Sequence, residues 1–248
     1  MKIRKSKWTM YLICPRMYKC RWLLNLPMVN GVEMQYGRDF HRRAKEFFDE
    51  VDTKTLIHCD KAIHAYNMCF ESFTPRRSSV MREWMNNFLW WEAKEWMRLL
   101  GLVGSEEAIK YWKPLETELK FETDDATYTV DRIDVLPLTK KLINIEYKSG
   151  KWFFKKKLVE ELTFYNIGIN ESGRFKVPCT HIGYYNPQLD KAFAEFAVKP
   201  VKEFVRGSVK EFFTAHESSL FPCRISNFCR YCSYLIGCPC WEDNQKEV

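Results

Sequence analysis

The sequence predicts an α/β protein, a core sheet flanked by helices with a helical insertion ahead of it. Three observations carry this. Before Pro114 the apolar residues recur at helical spacing. From Leu115 to Tyr147 they alternate with period two. After that a helical stretch, two further strands, a last helix and a cysteine-rich tail follow in turn. At 248 residues the chain is one or two domains by length and long enough to bury a sizeable core. With 46% hydrophobic and 16% aromatic residues, it is not a disordered chain.

The elements follow from local pattern. Trp8 to Leu24 reads as a short amphipathic helix with Cys14-Pro15-Arg16 in or beside it, and Pro27 and Gly31 then punctuate the chain. Val32 to Val51 is helical, with Met34, Phe40, Phe47 and Phe48 on or near one stripe; His41 sits in it, and a lone histidine on a helix is ordinarily structural. A second helical region runs from about Lys61 to Leu100, interrupted near Phe73-Thr74-Pro75. Its aromatic second half, Met81 to Met97, fits a core or inter-helix seam, the alternative being a platform for stacking single-stranded bases. Leu115–Glu122, Thr127–Leu136 and Lys141–Tyr147 read as three successive antiparallel strands, turning at Asp124-Asp125 and at Pro137-Leu138-Thr139. Phe154 to Asn170 reads as a helix, with strands near Lys176–Tyr185 and Ala192–Val198, and Pro200 opens a helix to about His216.

The chemistry centres on Ile143-Asn144-Ile145-Glu146-Tyr147-Lys148-Ser149-Gly150-Lys151. On a strand Glu146 and Lys148 emerge from the same face. A carboxylate there can hold a divalent metal, and the amine beside it can orient a water or steady a phosphoryl oxygen. An isolated E-x-K is usually a solvated ion pair; the acids Asp131 and Asp134 on the preceding strand shift that balance. Lys and Arg number 39 against 32 Asp and Glu, and residues 1–45 hold eleven Lys/Arg with only Glu33 and Asp39 as acids. A basic segment beside a metal centre suits a polyanionic substrate. The lysines that follow, Lys151, Lys155, Lys156 and Lys157, suit a phosphate backbone or, equally, a solvated helix start.

No apolar run approaches a membrane span, and the stretch after Met1-Lys2-Ile3-Arg4-Lys5 is too short for a secretory signal, so a cytoplasmic, reducing location is expected. There, ten cysteines point to metal rather than disulfides. Cys229, Cys232 and Cys238 form a C-x2-C-x5-C set that can bring three thiolates to one zinc ion or iron–sulfur cluster. Spacing leaves the metal open, and the fourth ligand too, among Cys14, Cys20, Cys59, Cys69, Cys179, Cys223 and Cys240.

Taken in order, Cys14-Pro15-Arg16, His41 in a Gly-x3-His context, Asp131-Arg132-Ile133-Asp134, Glu146-Tyr147-Lys148-Ser149-Gly150-Lys151 and C-x2-C-x5-C resemble the RecB-like branch of the PD-(D/E)XK nucleases. More narrowly, the chain resembles the branch members with an iron–sulfur cluster, the CRISPR-associated Cas-four exonucleases, with AddB as a cousin. The resemblance implies a restriction-endonuclease-like core sheet in one nuclease domain over residues 1–248: a helical insertion at about 52–113, the catalytic core sheet at 114–200 and a cluster-binding tail at 223–240. It implies that Cys14 joins Cys229, Cys232 and Cys238 around a [4Fe–4S] cluster, and that His41, Asp131 and Glu146 hold Mn2+ or Mg2+. It makes Asp131, Glu146, Lys148 and Tyr165 catalytic, Asp131 rather than Asp134 fitting the family register, and it places the family's Gln-x3-Tyr motif at Glu161 and Tyr165. Two departures stand out: Glu161 replaces the usual glutamine, and Tyr128 stands where a glycine often precedes the aspartate.

The function so implied is a metal-dependent exonuclease on single-stranded DNA or DNA ends, with a place in CRISPR adaptation. A homo-oligomer and a complex with an integrase are both compatible with the sequence, which leaves the oligomeric state and a CRISPR, repair or viral setting open; no membrane is expected. A non-catalytic iron–sulfur DNA-binding subunit of an adaptation or repair complex is the alternative, and a colourless zinc protein a third.

Overall fold

The computed structural model describes residues 1–28, 33–76, 78–150 and 154–241; Lys151 lies outside them. The order is β1 (Ile3–Arg4), α1 (Lys5–Ile13), α2 (Pro15–Tyr18), a π-helical turn (Lys19–Leu23), α3 (Glu33–Glu50), α4 (Thr53–Leu56), α5 (Ala62–Ala65), π-helical and 3-10 turns (Tyr66–Phe70, Glu71–Phe73), α6 (Ser79–Val103) and α7 (Ser105–Trp112). Then come β2 (Glu116–Glu122), β3 (Ala126–Val135), β4 (Leu142–Tyr147), α8 (Lys155–Glu171), β5 (Cys179–Asn186), β6 (Lys191–Phe196), α9 (Lys199–Ser218) and a 3-10 turn (Asn227–Tyr231). No helix among the described residues is long and apolar enough to cross a membrane.

The chain divides into two compact units. The larger, residues 31–121 and 128–197, carries the mixed sheet. In it β3 and β4 are antiparallel, with Arg132 opposite Ile145; β4 and β5 are parallel; β5 and β6 are antiparallel; and β2 pairs with β3. The two faces of the sheet are covered by different helices, as the alternation of β4 requires. Ile143, Ile145 and Tyr147 pack into one core with Phe40 and Phe47 of α3 and Trp84, Phe88 and Trp96 of α6. On the other face Ile182 and Tyr184 of β5 meet Leu158 and Leu162 of α8, and Asn144 Nδ2 donates to the Leu162 carbonyl at 3.2 Å.

The aromatic run of α6 is this core's seam. Trp91 stacks on Tyr185 at 4.3 Å and Trp90 on Tyr66 at 4.6 Å, which occupies the rings considered above as a base-stacking platform. The interruption near Pro75 is real: α6 starts afresh at Ser78, whose hydroxyl accepts from the Met81 N–H. It ends at Gly104, whose φ of 77° suits a residue without Cβ. α7, opening on Ser105-Glu106-Glu107, is a helix that the periodicity did not reveal.

Tyr128 and Gly168 fit one another. A Cβ built on Gly168 of α8 would lie 2.3 Å from the Tyr128 ring. The bulky residue at a position where the resembling family often has glycine is therefore accommodated by a glycine on the facing helix.

The smaller unit joins residues 1–30, 122–127 and 198–248. β1 runs parallel to Ala126 and Thr127. The helix expected over 8–24 is broken: Cys14 is extended, at φ −161° and ψ 115°, because Pro15 disfavours helical geometry before it and starts α2 at its own first position. α1 and α2 pack on α9, with Trp8 Nε1 donating to Ser208 Oγ at 3.0 Å and Tyr18 edge-on to Phe212.

Candidate functional site

The larger unit gathers acids at the end of β4. Asp131 and Glu146 lie one residue beyond the Arg132–Ile145 pair on neighbouring strands, and the Tyr147 N–H donates to Asp131 Oδ2 at 2.8 Å, fixing that carboxylate. Both acids are buried. His41 arrives on α3, its Nδ1 3.3 Å from Asp131 Oδ1 and 3.4 Å from Glu118 Oε1. Gly37, one turn earlier, faces Ser149 just past the E-x-K segment: a Cβ there would lie 3.0 Å from Ser149 Oγ, tighter than an ordinary contact.

Lys148 Nζ lies 2.9 Å from Glu146 Oε1 and 3.0 Å from Glu161 Oε2. Glu161 and Tyr165 stand one turn apart on α8, both buried. Burial first, then the charges of Glu146 and Asp131, raise the Tyr165 phenol well above its ordinary range, against the pull of Lys148. For His41, burial would lower the imidazole pKa, but the charge of Asp131 and hydrogen bonds with Asp131 and Glu118 prevail and raise it to about 10. His41, Asp131, Glu146, Lys148, Glu161 and Tyr165 are thus brought together. Asp134 is not: it faces the other way, paired with the buried Arg132 at 2.7 Å. Arg132 also bonds Glu92 of α6.

Glu118 was not singled out from sequence. It sits mid-strand in β2, between Glu116 and Glu122, and the structure sets it apart by a φ of 49°, in the left-handed region that a glutamate adopts only under constraint. The His41, Glu118 and Asp131 donor atoms all lie within 4.8 Å of one another. One imidazole nitrogen and hard carboxylate oxygens are a donor set that fits Mn2+ or Mg2+. Of the lysines following the E-x-K, Lys155 bonds Glu195 at 2.7 Å and lies over the Phe193 ring.

In the smaller unit, Cys14, Cys229, Cys232 and Cys238 line one cavity. The Cys232 thiol pKa is raised by burial first and, against a hydrogen bond from the Tyr234 backbone, by its neighbours Cys14, Cys229 and Cys238. Backbone N–H groups of Arg224 and Ser226 donate to Cys14 Sγ and Cys229 Sγ, each at 3.4 Å. The donor set fits a thiolate-bound metal centre. Cys223 and Cys240 form a disulfide, contrary to the expectation that the cysteines serve metal alone. The tail folds back and brings their Cα atoms to 6.4 Å, within bridging range, and the pair leaves the set of fourth-ligand candidates. Cys59 and Cys69 are buried in the larger unit's helical core.

Comparison with curated proteins finds no match. The family model of the PD-(D/E)XK nuclease superfamily matches residues 5–239. With nearly the whole chain matched, and acids, histidine and lysine meeting at the end of a central strand, this chain belongs to the PD-(D/E)XK nuclease superfamily, a family of metal-dependent nucleases.

Proposed function

We propose that this protein is a metal-dependent DNA exonuclease acting on single strands or DNA ends, with His41, Asp131 and Glu146 as metal ligands and Asp131, Glu146, Lys148 and Tyr165 as its catalytic residues. The observation that carries it is Lys148 Nζ at 2.9 Å from Glu146, with Asp131 fixed by the Tyr147 N–H and approached by His41. Glu118 joins the ligand set. A bound divalent ion supplies a water of lowered pKa and neutralises charge building on the phosphodiester. Lys148, held by two carboxylates, donates to the phosphoryl oxygen or the attacking water, and its position is set before substrate arrives. The buried Tyr165 keeps its proton beside the acids.

The proposal extends to a [4Fe–4S] cluster on Cys14, Cys229, Cys232 and Cys238, supported by their shared cavity and by backbone N–H donors aimed at two of the sulfurs. A cluster-bearing exonuclease of this type would trim DNA captured for CRISPR adaptation, handing it to an integrase. The test is digestion of end-labelled single-stranded DNA with Mn2+ by anaerobically purified protein, beside Lys148→Ala. Cleavage that is lost in the variant supports the nuclease reading; equal cleavage by both rules out this centre. Iron and acid-labile sulfide in the purified protein support the cluster, and zinc without iron overturns it.

A further inference from the structure

β6 is the end strand of the sheet, paired on one side only among the described residues. β6 pairs with β5 in unbroken register from His181–Phe196 to Asn186–Lys191, without a bulge. The Ala197 N–H bonds the Thr180 carbonyl, so Lys191, Phe193 and Glu195 bond inward in the antiparallel ladder, while the N–H and C=O groups of Ala192, Ala194 and Phe196 face outward. Among the described residues no strand pairs on that side. Lys191, Ala192, Ala194 and Phe196 are all exposed, Phe196 at 65%. Proteins usually blunt such an edge with a proline, a bulge or charged side chains; β6 has no proline and no bulge, and its charges stand only toward its ends, at Lys191 and Glu195.

Its two charges lie symmetrically, Lys191 two residues before Phe193 and Glu195 two after. We propose that β6 is a self-association edge, on which a second copy of this chain pairs antiparallel about a two-fold axis at Phe193. That register uses the outward groups: Ala192 and the other copy's Ala194 exchange N–H···O bonds, and by symmetry the reverse pair does the same. It sets each Lys191 opposite the other copy's Glu195 and brings the two Phe193 side chains to the close, non-hydrogen-bonded position. The register shifted to Ala194 would instead face Glu195 with Phe193 and leave Lys191 opposite Ala197. The charges therefore favour one pairing. Glu195 already holds Lys155 of its own chain at 2.7 Å, and a second copy adds its Lys191 beside that pair while placing its Glu195 within reach of this chain's exposed Lys191.

Light scattering and sedimentation over a range of protein concentrations test this without reference to nuclease activity. The wild-type protein is expected to be dimeric. Ala194→Pro deletes an outward donor and no inward one, so it is expected to yield a monomer with an unchanged thermal melt. Lys191→Glu, which leaves the Lys155–Glu195 pair in place, is expected to weaken the dimer roughly tenfold or more, and Glu195→Lys added to it to restore pairing. A wild-type monomer at all concentrations overturns the proposal, as does an assembly unaffected by both Ala194→Pro and Lys191→Glu. Should the proline variant misfold, failure of the charge swap to restore the dimer decides against it.

Discussion

Lys148 Nζ lies 3.0 Å from Glu161 Oε2, the carboxylate that stands where the resembling family carries a glutamine amide. An amide is neutral and donates as well as accepts, whereas a carboxylate at pH 7 only accepts. Lys148 is therefore shared between two anions, and the site presents one more negative charge to an incoming phosphate.

Glu161→Gln should relieve that repulsion with the fold intact. Binding to a DNA strand is expected to tighten by on the order of 1 kcal/mol, about fivefold in Kd. Fluorescence anisotropy at fixed salt measures it, and a Kd that stays the same or rises would show that Glu161 does not face the substrate.

Mn2+ should stabilise the protein through His41, Glu118 and Asp131. At a metal concentration a hundredfold above Kd the gain is about 2.7 kcal/mol. It should be visible as a rise in melting temperature that EDTA reverses. His41→Ala and Asp131→Asn are each expected to abolish the shift. Glu118→Gln is expected to reduce it; a full shift in that variant would remove Glu118 from the ligand set.

Gly168→Ala is expected to destabilise by about 1–3 kcal/mol, although alanine is the better helix former, because the new methyl overlaps the Tyr128 ring. In a Tyr128→Ala background the same change should cost less or turn favourable. Denaturant midpoints of the four proteins give the coupling directly, and additive effects would refute the contact.

Glu92 gives the fold a pH dependence of known sign. Arg132 serves two buried carboxylates, Glu92 and Asp134. Burial raises Glu92 from 4.5 to about 8, against the pull of Arg132. The native state thus binds a proton that the unfolded chain releases, so the stabilisation is full below about pH 4.5 and is lost as pH rises through about 8. Glu92→Gln keeps the buried polar contact and should flatten this decline. Urea melts across that range test it, and equal slopes in both proteins would contradict it.

The sheet was legible because its strands alternate: β2 to β4 lie within a residue or two of the expected bounds. Glu146 and Lys148 were legible for the same reason, as one strand fixes their shared face. Glu118 was not, since an acid in a half-exposed strand carries no local mark, and its left-handed φ exists only in the fold. Nor does local pattern reveal that Tyr128 needs Gly168, or that Cys14 meets Cys229, Cys232 and Cys238; the latter came from family likeness, because pairings across 200 residues leave no trace in spacing. The π-helical turn at Tyr66–Phe70 escaped detection because its apolar residues fit an ordinary helix equally well.

Arg16 N–H bonds the Pro222 carbonyl, and the Arg224 guanidinium bonds the Leu12 carbonyl. The smaller unit is thus woven from the earliest and latest stretches of the chain, while the larger draws almost wholly on the middle. During synthesis the residues of the larger unit leave the ribosome before the partners of α1 and α2 exist. Those first helices must wait, with Trp8, Tyr11 and Tyr18 exposed, until residues 198–241 emerge. Translation itself should therefore set the order of assembly, the sheet first and the thiol-lined cavity last.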